Sequence, residues 1–192
     1  ALVFLPQFGA RGIWYSIFHA VSAFCNAGID LLGGNSFCNY ADNVIINITT
    51  VFLIIVSGLG FPVYWEIFRT ASVRLRSKEH KSGRKMNLHT RLVLVTTAAL
   101  IFIGMMLTLL FEYDNPDTLG GMSLSQKLLA SLFQSVTLRT AGFATISQEC
   151  FRPASCMAYL ILMFIGGSPA GTAGGIKTVT VVALLASIFA NI

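Results

Sequence analysis

Charged residues are scarce in this sequence, at 11% of its 192 residues against about 25% in an average soluble domain. Hydrophobic residues make up 55%, more than a water-soluble core of this size can hide. This composition excludes a disordered chain and a collagen-like repeat, and it predicts a membrane protein. The net charge of +5 does not indicate nucleic-acid binding, because eight of the 13 Lys and Arg lie within residues 69–91.

Cysteine is also scarce. The four cysteines form no CxxC pair and have no histidine at metal-ligand spacing, which argues against a zinc site and a secreted disulfide scaffold. We expect buried thiols, with a Cys38–Cys150 disulfide on the outer face as the alternative. No nucleophile has a plausible base and orienting group, so the sequence does not indicate an enzyme. We expect His19 to be a packed or capping residue.

Two apolar runs, residues 44–68 and 92–111, are each long enough to cross a hydrocarbon core of about 30 Å. The basic stretch 69–91 separates them and is expected to be a cytoplasmic loop. An acidic, turn-rich stretch, residues 112–117, follows the second run on the opposite side. Apolar residues at both ends of the chain suggest a piece of a longer protein.

A third apolar run is interrupted. Residues 154–165 are too short to span, and residues 166–177 then contain five glycines and a proline before the apolar pattern resumes. Such a segment cannot continue an α-helix, and open backbone is tolerated in lipid only where it is buried or lines a cavity. Two half-helices around this break indicate an ion or solute path. The rival interpretation, a phosphate-binding loop over residues 171–178, fails at Ile176, where glycine is required.

Two amphipathic stretches, residues 12–25 and 123–139, are too short to span. Each is followed by a three-residue ending, Asn26-Ala27-Gly28 or Thr140-Ala141-Gly142, in which a small residue precedes alanine and glycine. A shift of 114 residues superposes these endings and also brings Gly60 onto Gly174. We therefore expect two units, each with an outer helix, a short re-entrant helix, an extended turn and an inner helix weakened near its middle.

Such turns suit a cation. A cation that leaves water needs oxygen ligands, which backbone carbonyls supply, and glycine permits the close approach. The C-terminal end of a short helix adds a negative dipole end. The alternative is two surface helices that end at ordinary glycine caps.

Charged side chains flank these features. We expect Arg139 to be a brace behind the second turn, with Glu112 as its candidate partner. Asp30 and Glu149 follow the turns and either attract cations at the outer mouth or are ordinary solvated charges. Lys177 either opposes a waiting cation or extends toward the cytoplasm.

Three stretches resemble the Trk/Ktr/HKT superfamily of potassium transporters, specifically its Ktr/Trk-type membrane subunit. Residues 22–28 look like the filter turn of the second repeat, residues 139–143 look like that of the third, and residues 166–177 look like the intramembrane gating loop. The resemblance implies an all-α membrane protein in which helix–re-entrant pore loop–helix repeats surround a central pore. Residues 1–68 would be the second repeat, 69–91 the basic cytoplasmic loop and 92–192 the third repeat, with its broken inner helix.

The resemblance also implies site residues. The potassium-binding filter would comprise Asn26, Ala27, Gly28, Thr140, Ala141 and Gly142. Its supporting residues would be Cys25, Arg139 and Glu112. The gating loop would contain Gly166, Gly167, Ser168, Pro169, Gly171, Thr172, Gly174, Gly175 and Lys177.

Further expectations follow from the same resemblance. K⁺ would be the transported ion, with no organic cofactor, in a symporter of a bacterial cell membrane whose filter turns are entered from outside. The partners would be membrane lipid, a second full-length copy and a cytoplasmic nucleotide-binding regulatory ring (KtrA/TrkA-like), for which residues 69–91 are either a contact or only a topology signal. The first and fourth repeats are absent, and Cys25 stands where another polar residue is expected. The alternative function is a channel for a small neutral solute, although no Asn-Pro-Ala turn occurs.

Overall fold

The computed structural model describes residues 1–76 and 86–190, and within them the chain is helical. The α-helices of these residues are α1 (Phe4–Phe8), α2 (Arg11–Phe24), α3 (Val44–Leu59), α4 (Phe61–Arg76), α5 (Leu88–Glu112), α6 (Leu124–Thr137), α7 (Pro153–Phe164) and α8 (Thr178–Ala190). The described residues contain no β-strand, only one isolated bridge between Ile165 and Ile176. The predicted all-α fold class is confirmed.

Helix α5 is the longest element. Its 25 residues span ~37 Å at about 1.5 Å per residue, which exceeds the hydrocarbon core of a bilayer. Within residues 1–76 and 86–190 it is the one helix long and apolar enough to cross a membrane by itself, and α3 with α4 adds a second if that bent pair is one span. Helices α7 and α8 are apolar but shorter.

The apolar run over residues 44–68 is not one straight helix, because it breaks at Gly60. Gly60 has φ +84°, and α3 and α4 meet there at 94°. A Cβ atom on Gly60 would lie 2.4 Å from the carbonyl oxygen of Pro169, so the bend is in contact with the glycine-rich segment at residues 166–177. The expected weakness near the middle of this inner helix is therefore a sharp bend that only glycine accommodates.

The basic stretch is less of a loop than the sequence predicts. Helix α4 continues to Arg76, and α5 already begins at Leu88. Residues 77–85, which carry half of the eight basic side chains in the stretch, lie outside the described residues. Helical structure therefore extends into the predicted cytoplasmic stretch 69–91 from both sides.

Packing brings the two units together. Helix α5 packs most extensively on α6, α3 packs on both α2 and α6, and α7 and α8 pack on α5. In the core between the units, the Phe37 ring stacks on the Phe143 ring with their centroids 4.9 Å apart. Many large apolar side chains are exposed while hydroxyl side chains such as Thr108, Ser131 and Ser155 are fully buried. This distribution is the reverse of a soluble domain and is typical of a protein surrounded by lipid.

Candidate functional site

Two turns meet between the units: the first turn (residues 26–28) follows α2, and the second turn (residues 140–142) follows α6. Gly28 has φ +66° and Gly142 has φ +89°. A Cβ atom on Gly28 would lie 2.4 Å from the carbonyl oxygen of Ala141, and one on Gly142 would lie 3.1 Å from the Cα of Gly28. Each glycine is required both by its backbone angle and by the close approach of the other turn.

The two turns share one backbone pattern. Asn26 and Thr140, 114 residues apart, also have positive φ, at 51° and 69°, whereas the alanine between them and each glycine does not. A positive φ is unusual for asparagine and a true outlier for threonine, whose β-carbon is branched. The repeated alternation of φ therefore supports an internal duplication, even though the sequence identity of the two units is low.

The middle amide of each turn is hydrogen-bonded to protein, whereas the carbonyls that precede each glycine are not. The Ala27 N–H donates to the Ser22 carbonyl at 2.9 Å, and the Ala141 N–H donates to the Thr137 carbonyl at 3.0 Å. Within the described residues, no N–H or O–H group donates to the carbonyl oxygens of residues 26, 27, 140 and 141. Each turn is thus tied to its own short helix through its middle N–H group and leaves these carbonyl oxygens available to another ligand.

A hydroxyl group closes each turn from behind. Ser22 Oγ donates to the Ile29 carbonyl at 2.7 Å, and Thr137 Oγ1 donates to the Phe143 carbonyl at 2.6 Å. Both hydroxyls come from the end of the preceding short helix, and both carbonyls follow the glycine. The role of these two hydroxyls was not predicted from the sequence, although a hydroxyl side chain before each turn was a usable signal.

His19 forms a hydrogen bond to the segment that follows the first turn. Its Nε2 accepts the Leu31 N–H at 3.2 Å, its Nδ1 lies 2.6 Å from the Tyr15 carbonyl, and its ring is buried against Phe4 and Phe37. The expectation of a packed or capping histidine agrees with these contacts.

The glycine-rich loop (residues 166–177) lies between α7 and α8 and closes on itself. The Gly166 N–H donates to the Ile176 carbonyl, and the Ile176 N–H donates to the Phe164 carbonyl, both at 3.0 Å. A Cβ atom on Gly166 would lie 1.6 Å from the Gly174 carbonyl oxygen, so the two sides of the loop approach closely because neither carries a side chain there. Sequence reasoning predicted this break with nearly its observed bounds.

The loop is also bonded to the end of α3. The N–H groups of Ser168 and Thr172 donate to the carbonyls of Gly58 and Ser57, at 3.0 and 3.2 Å. These carbonyls are left without helical partners because α3 breaks at Gly60. Because these loop amides are already bonded to protein carbonyls, they do not form a phosphate cradle, which argues against the rival interpretation.

Both turns contact the glycine-rich loop through their first residue. Asn26 Nδ2 donates to Thr172 Oγ1 at 2.8 Å, and the Gly174 N–H donates to Thr140 Oγ1 at 2.8 Å. The predicted filter residues and the predicted gating loop therefore lie together, as one continuous group on three segments of the chain.

The expected pairing of Arg139 with Glu112 is wrong. Arg139 is 8% exposed, its Nη2 donates to the Gly166 carbonyl at 3.3 Å, and its Nε is buried without a partner. Its guanidinium group thus contacts the glycine-rich loop.

Glu112 lies instead at the start of α7. Its carboxylate is fully buried and accepts hydrogen bonds from Asn115 at 2.6 Å, Thr118 at 2.8 Å, the Arg152 N–H at 3.0 Å and Ser155. The free N–H groups at a helix N-terminus favour a carboxylate, and this explains the different partner. Glu112 ties α5 to α7 rather than supporting a turn directly.

The other predicted residues are exposed or form only local hydrogen bonds. Cys25 is exposed and contributes only its backbone N–H, which caps α2. Asp30 accepts the Leu32 N–H at 2.9 Å, Glu149 is exposed, and Lys177 Nζ donates to the Ala173 carbonyl at 2.7 Å within the loop. All four cysteines are free, so the Cys38–Cys150 alternative is wrong. Cys38 is half-buried and the other three are exposed, so the expectation of buried thiols is wrong as well.

The sequence matches the family model described as TrkH, cation transport protein, over residues 4–192. It is 38% identical over 187 residues to the Ktr system potassium uptake protein B of Bacillus subtilis (strain 168), covering 97% of this chain and 40% of that protein. It is 39% identical over 186 residues to the potassium/sodium uptake protein NtpJ of Enterococcus hirae, covering 96% and 39%. The chain therefore spans about 40% of the length of these curated relatives.

A solved structure shares the fold. The crystal structure of the potassium transporter TrkH from Vibrio parahaemolyticus superposes with a TM-score of 0.69 at 22% identity, over 95% of this chain and 36% of that one.

Proposed function

Because the chain belongs to the TrkH family of cation transport proteins, and so of membrane transporters, we propose that it forms part of a potassium-uptake pore. The paired turn geometry carries this proposal. Two turns with the same alternation of φ approach each other at Gly28 and Gly142, and their carbonyl oxygens have no donor within the described residues. Backbone carbonyls in such an array can replace the hydration shell of K⁺.

The short helices support the same ion. The C-terminal ends of α2 and α6 lead directly into the two turns, so the negative ends of both helix dipoles lie beside the carbonyl oxygens. A channel for a neutral solute would be expected to direct helix N-termini at its centre, so the arrangement favours a cation. The first and second turns would line K⁺ sites, and transport rather than catalysis is the activity proposed.

The glycine-rich loop is proposed as the gate. It lies against both turns, through Thr172 and Gly174, and it is closed by hydrogen bonds that can be exchanged without breaking a helix. Arg139 would support the filter from behind by holding Gly166, Glu112 would do so indirectly by anchoring α7, and Cys25 would contribute only backbone. Lys177, bonded within the loop, would add positive charge beside the gate.

The assembly is proposed from the same family membership. The turns would be entered from outside, the basic stretch 69–91 would be cytoplasmic, and the exposed apolar side chains would contact lipid. The full-length protein would be a homodimer of a bacterial cell membrane that docks on a cytoplasmic nucleotide-binding ring. The two pieces assigned to this chain, residues 1–68 and 92–192, would be the second and third of four repeats.

A chimera tests the function. This chain would replace the matching 40% of the Bacillus subtilis protein, and uptake of K⁺ and Na⁺ would be measured in cells that lack other potassium uptake. The unsubstituted chimera should restore K⁺ uptake, Gly142→Ser should weaken discrimination against Na⁺, and a deletion within residues 166–175 should leave an ungated leak. A chimera that reaches the membrane and carries no monovalent cation contradicts the proposal. Normal uptake and discrimination in both variants contradicts the assignment of filter and gate.

A further inference from the structure

The contacts between turns and loop occur at equivalent positions of the two units. Asn26 and Thr140 are each the first residue of a turn, and each forms a 2.8 Å hydrogen bond to the glycine-rich loop. In the first turn the side chain donates to Thr172 Oγ1, and in the second turn the side chain accepts the Gly174 N–H. Two equivalent residues thus hold neighbouring points of one loop through different chemistry.

The direction of the first contact is fixed by its neighbours. Thr172 Oγ1 gives its only proton to the Phe24 carbonyl at 3.1 Å, and Ser57 Oγ gives its proton to the Ile54 carbonyl at 3.1 Å. Both hydroxyl oxygens can then only accept, so the Asn26 amide nitrogen must face them. An aspartate at position 26 has the same shape but no proton to donate, and it would repel both oxygens.

The same two residues have the strained backbone. Asn26 and Thr140 have φ of 51° and 69°, and such conformations persist only where the surroundings hold them. The hydrogen bonds from the glycine-rich loop are part of those surroundings. Because binding free energies are reciprocal, a docked loop that stabilises the turn conformation is itself stabilised by that conformation.

We propose that Asn26 and Thr140 form a latch, through which docking of the glycine-rich loop fixes the geometry of both turns. The inference rests on the proposed function, in which the turns are the filter and the loop is the gate. Displacement of the loop releases the first residue of each turn, so that opening of the gate and ion discrimination change together. Asn26 and Thr140 are accordingly positioning residues whose side chains act on the ion path through the loop.

The test uses the chimera described above, purified and reconstituted in proteoliposomes, with passive K⁺ and Na⁺ flux as the readouts. Thr140→Val removes the hydroxyl at nearly constant shape, and Thr140→Ser restores it. Thr172→Val tests the other half of the latch from the exposed surface of the loop, where misfolding is not expected. Loss of one hydrogen bond should raise resting K⁺ flux by about two- to tenfold, with a larger proportional rise for Na⁺.

Thr145→Val is the matched control. Thr145 is buried two residues beyond Phe143, its hydroxyl has no hydrogen-bond partner, and the chemical change is identical. This variant should keep the flux and ion ratio of the unsubstituted chimera. Thr172→Ser, which keeps the hydroxyl that accepts from Asn26, should also keep the original flux and ion ratio.

Three outcomes would overturn the latch. Flux and ion ratio unchanged in Thr140→Val and Thr172→Val would show that the contacts restrain nothing. A rise in K⁺ flux at a constant ratio of K⁺ to Na⁺ would show that the loop is tethered but not coupled to the filter. Failure of Thr140→Ser to restore the original behaviour would assign the effect to packing. In each case the unsubstituted chimera still transports K⁺, whereas an unsubstituted chimera without K⁺ flux overturns the proposed function and the latch with it.

Discussion

The first and second turns have the same backbone and different surroundings. The first follows α2, of which only Gly12, His19, Ser22 and Ala23 are buried. The second follows α6, whose C-terminal half is buried continuously from Phe133 onward and which is packed against both α3 and α5. The alternating φ is nevertheless the same in both turns. The turn conformation therefore depends on the glycine and on the hydrogen bonds to the preceding helix, and burial around it can vary.

The residues just before the two turns also differ in burial. Cys25 and Arg139 are equivalent under the shift of 114 residues, yet Cys25 is exposed and Arg139 is buried against the loop. One unit thus adds a side-chain contact to the loop that the other lacks. The variants below test how far the equivalence of the two turns extends.

The largest effect is expected from Gly28→Ala. Its Cβ would lie 2.4 Å from a backbone oxygen of the second turn, whereas the Cβ of Gly142→Ala would lie 3.1 Å from one Cα atom. Since both residues also have positive φ, each change should lower K⁺ uptake by about tenfold or more, and Gly28→Ala should be the more severe. Uptake per amount of chimera in the membrane measures this. Greater damage from Gly142→Ala would contradict the geometry.

The next largest effect is expected from Glu112→Ala, which tests whether Glu112 anchors α7. Glu112→Ala leaves Asn115, Thr118 and Ser155 without their buried acceptor, and it should lower the free energy of unfolding by about 3 kcal/mol. Thermal unfolding of the chimera in detergent, followed by size-exclusion chromatography, is the measurement. The exposed carboxylate of Glu149 provides the control, Glu149→Ala, which should unfold at the original temperature. Equal stability of the two variants would contradict the assigned role.

A smaller effect compares the hydroxyls that close the turns. Ser22→Ala and Thr137→Val each remove one hydrogen bond, worth about 1 kcal/mol, and each should reduce the uptake ratio of K⁺ to Na⁺ by about fivefold. The change should be larger for Ser22→Ala, because less packing holds the first turn. Thr137→Ser, which keeps the hydroxyl, should retain the ratio. Identical losses in the two turns would show that packing contributes nothing.

The smallest effect is expected from Cys25→Ser. The side chain is exposed and only the backbone N–H caps α2, so K⁺ uptake should stay within about twofold. Cys156→Ser, on the exposed side of α7, gives the matched background. A selective loss with Cys25→Ser would restore the original expectation that this side chain supports the filter.

Several features were predictable because they depend on local chemistry. The glycine-rich break, the two short helices and the two small-Ala-Gly endings follow from residue type and spacing, and the structure has all of them. The partners of Glu112 and Arg139 were not predictable in this way. Two opposite charges near one feature suggest a pair, but the free N–H groups at the start of α7 and the carbonyl of Gly166 lie closer in space.

The bend at Gly60 shows the same limit. Residues 44–68 have the length and composition of one span, and the local signals for a break are Gly58, Gly60 and Pro62, which has no N–H to donate to the Gly58 carbonyl. The sequence does not reveal that the carbonyls of Ser57 and Gly58, left free by the bend, bond to the glycine-rich loop more than 100 residues later in the chain. Only the packed structure contains that interaction.

The sequence by itself determined that the protein lies in a membrane, where most of its helices are and where its turns are, because hydropathy, glycine and helix length act locally. The tertiary structure alone decided which side chains meet. It brought Asn26 and Thr140 to neighbouring points of one loop, placed Arg139 against the Gly166 carbonyl and placed Glu112 at the start of α7. The physical reason is that a buried polar group bonds to the nearest available partner in space, and separation along the chain does not reveal that partner.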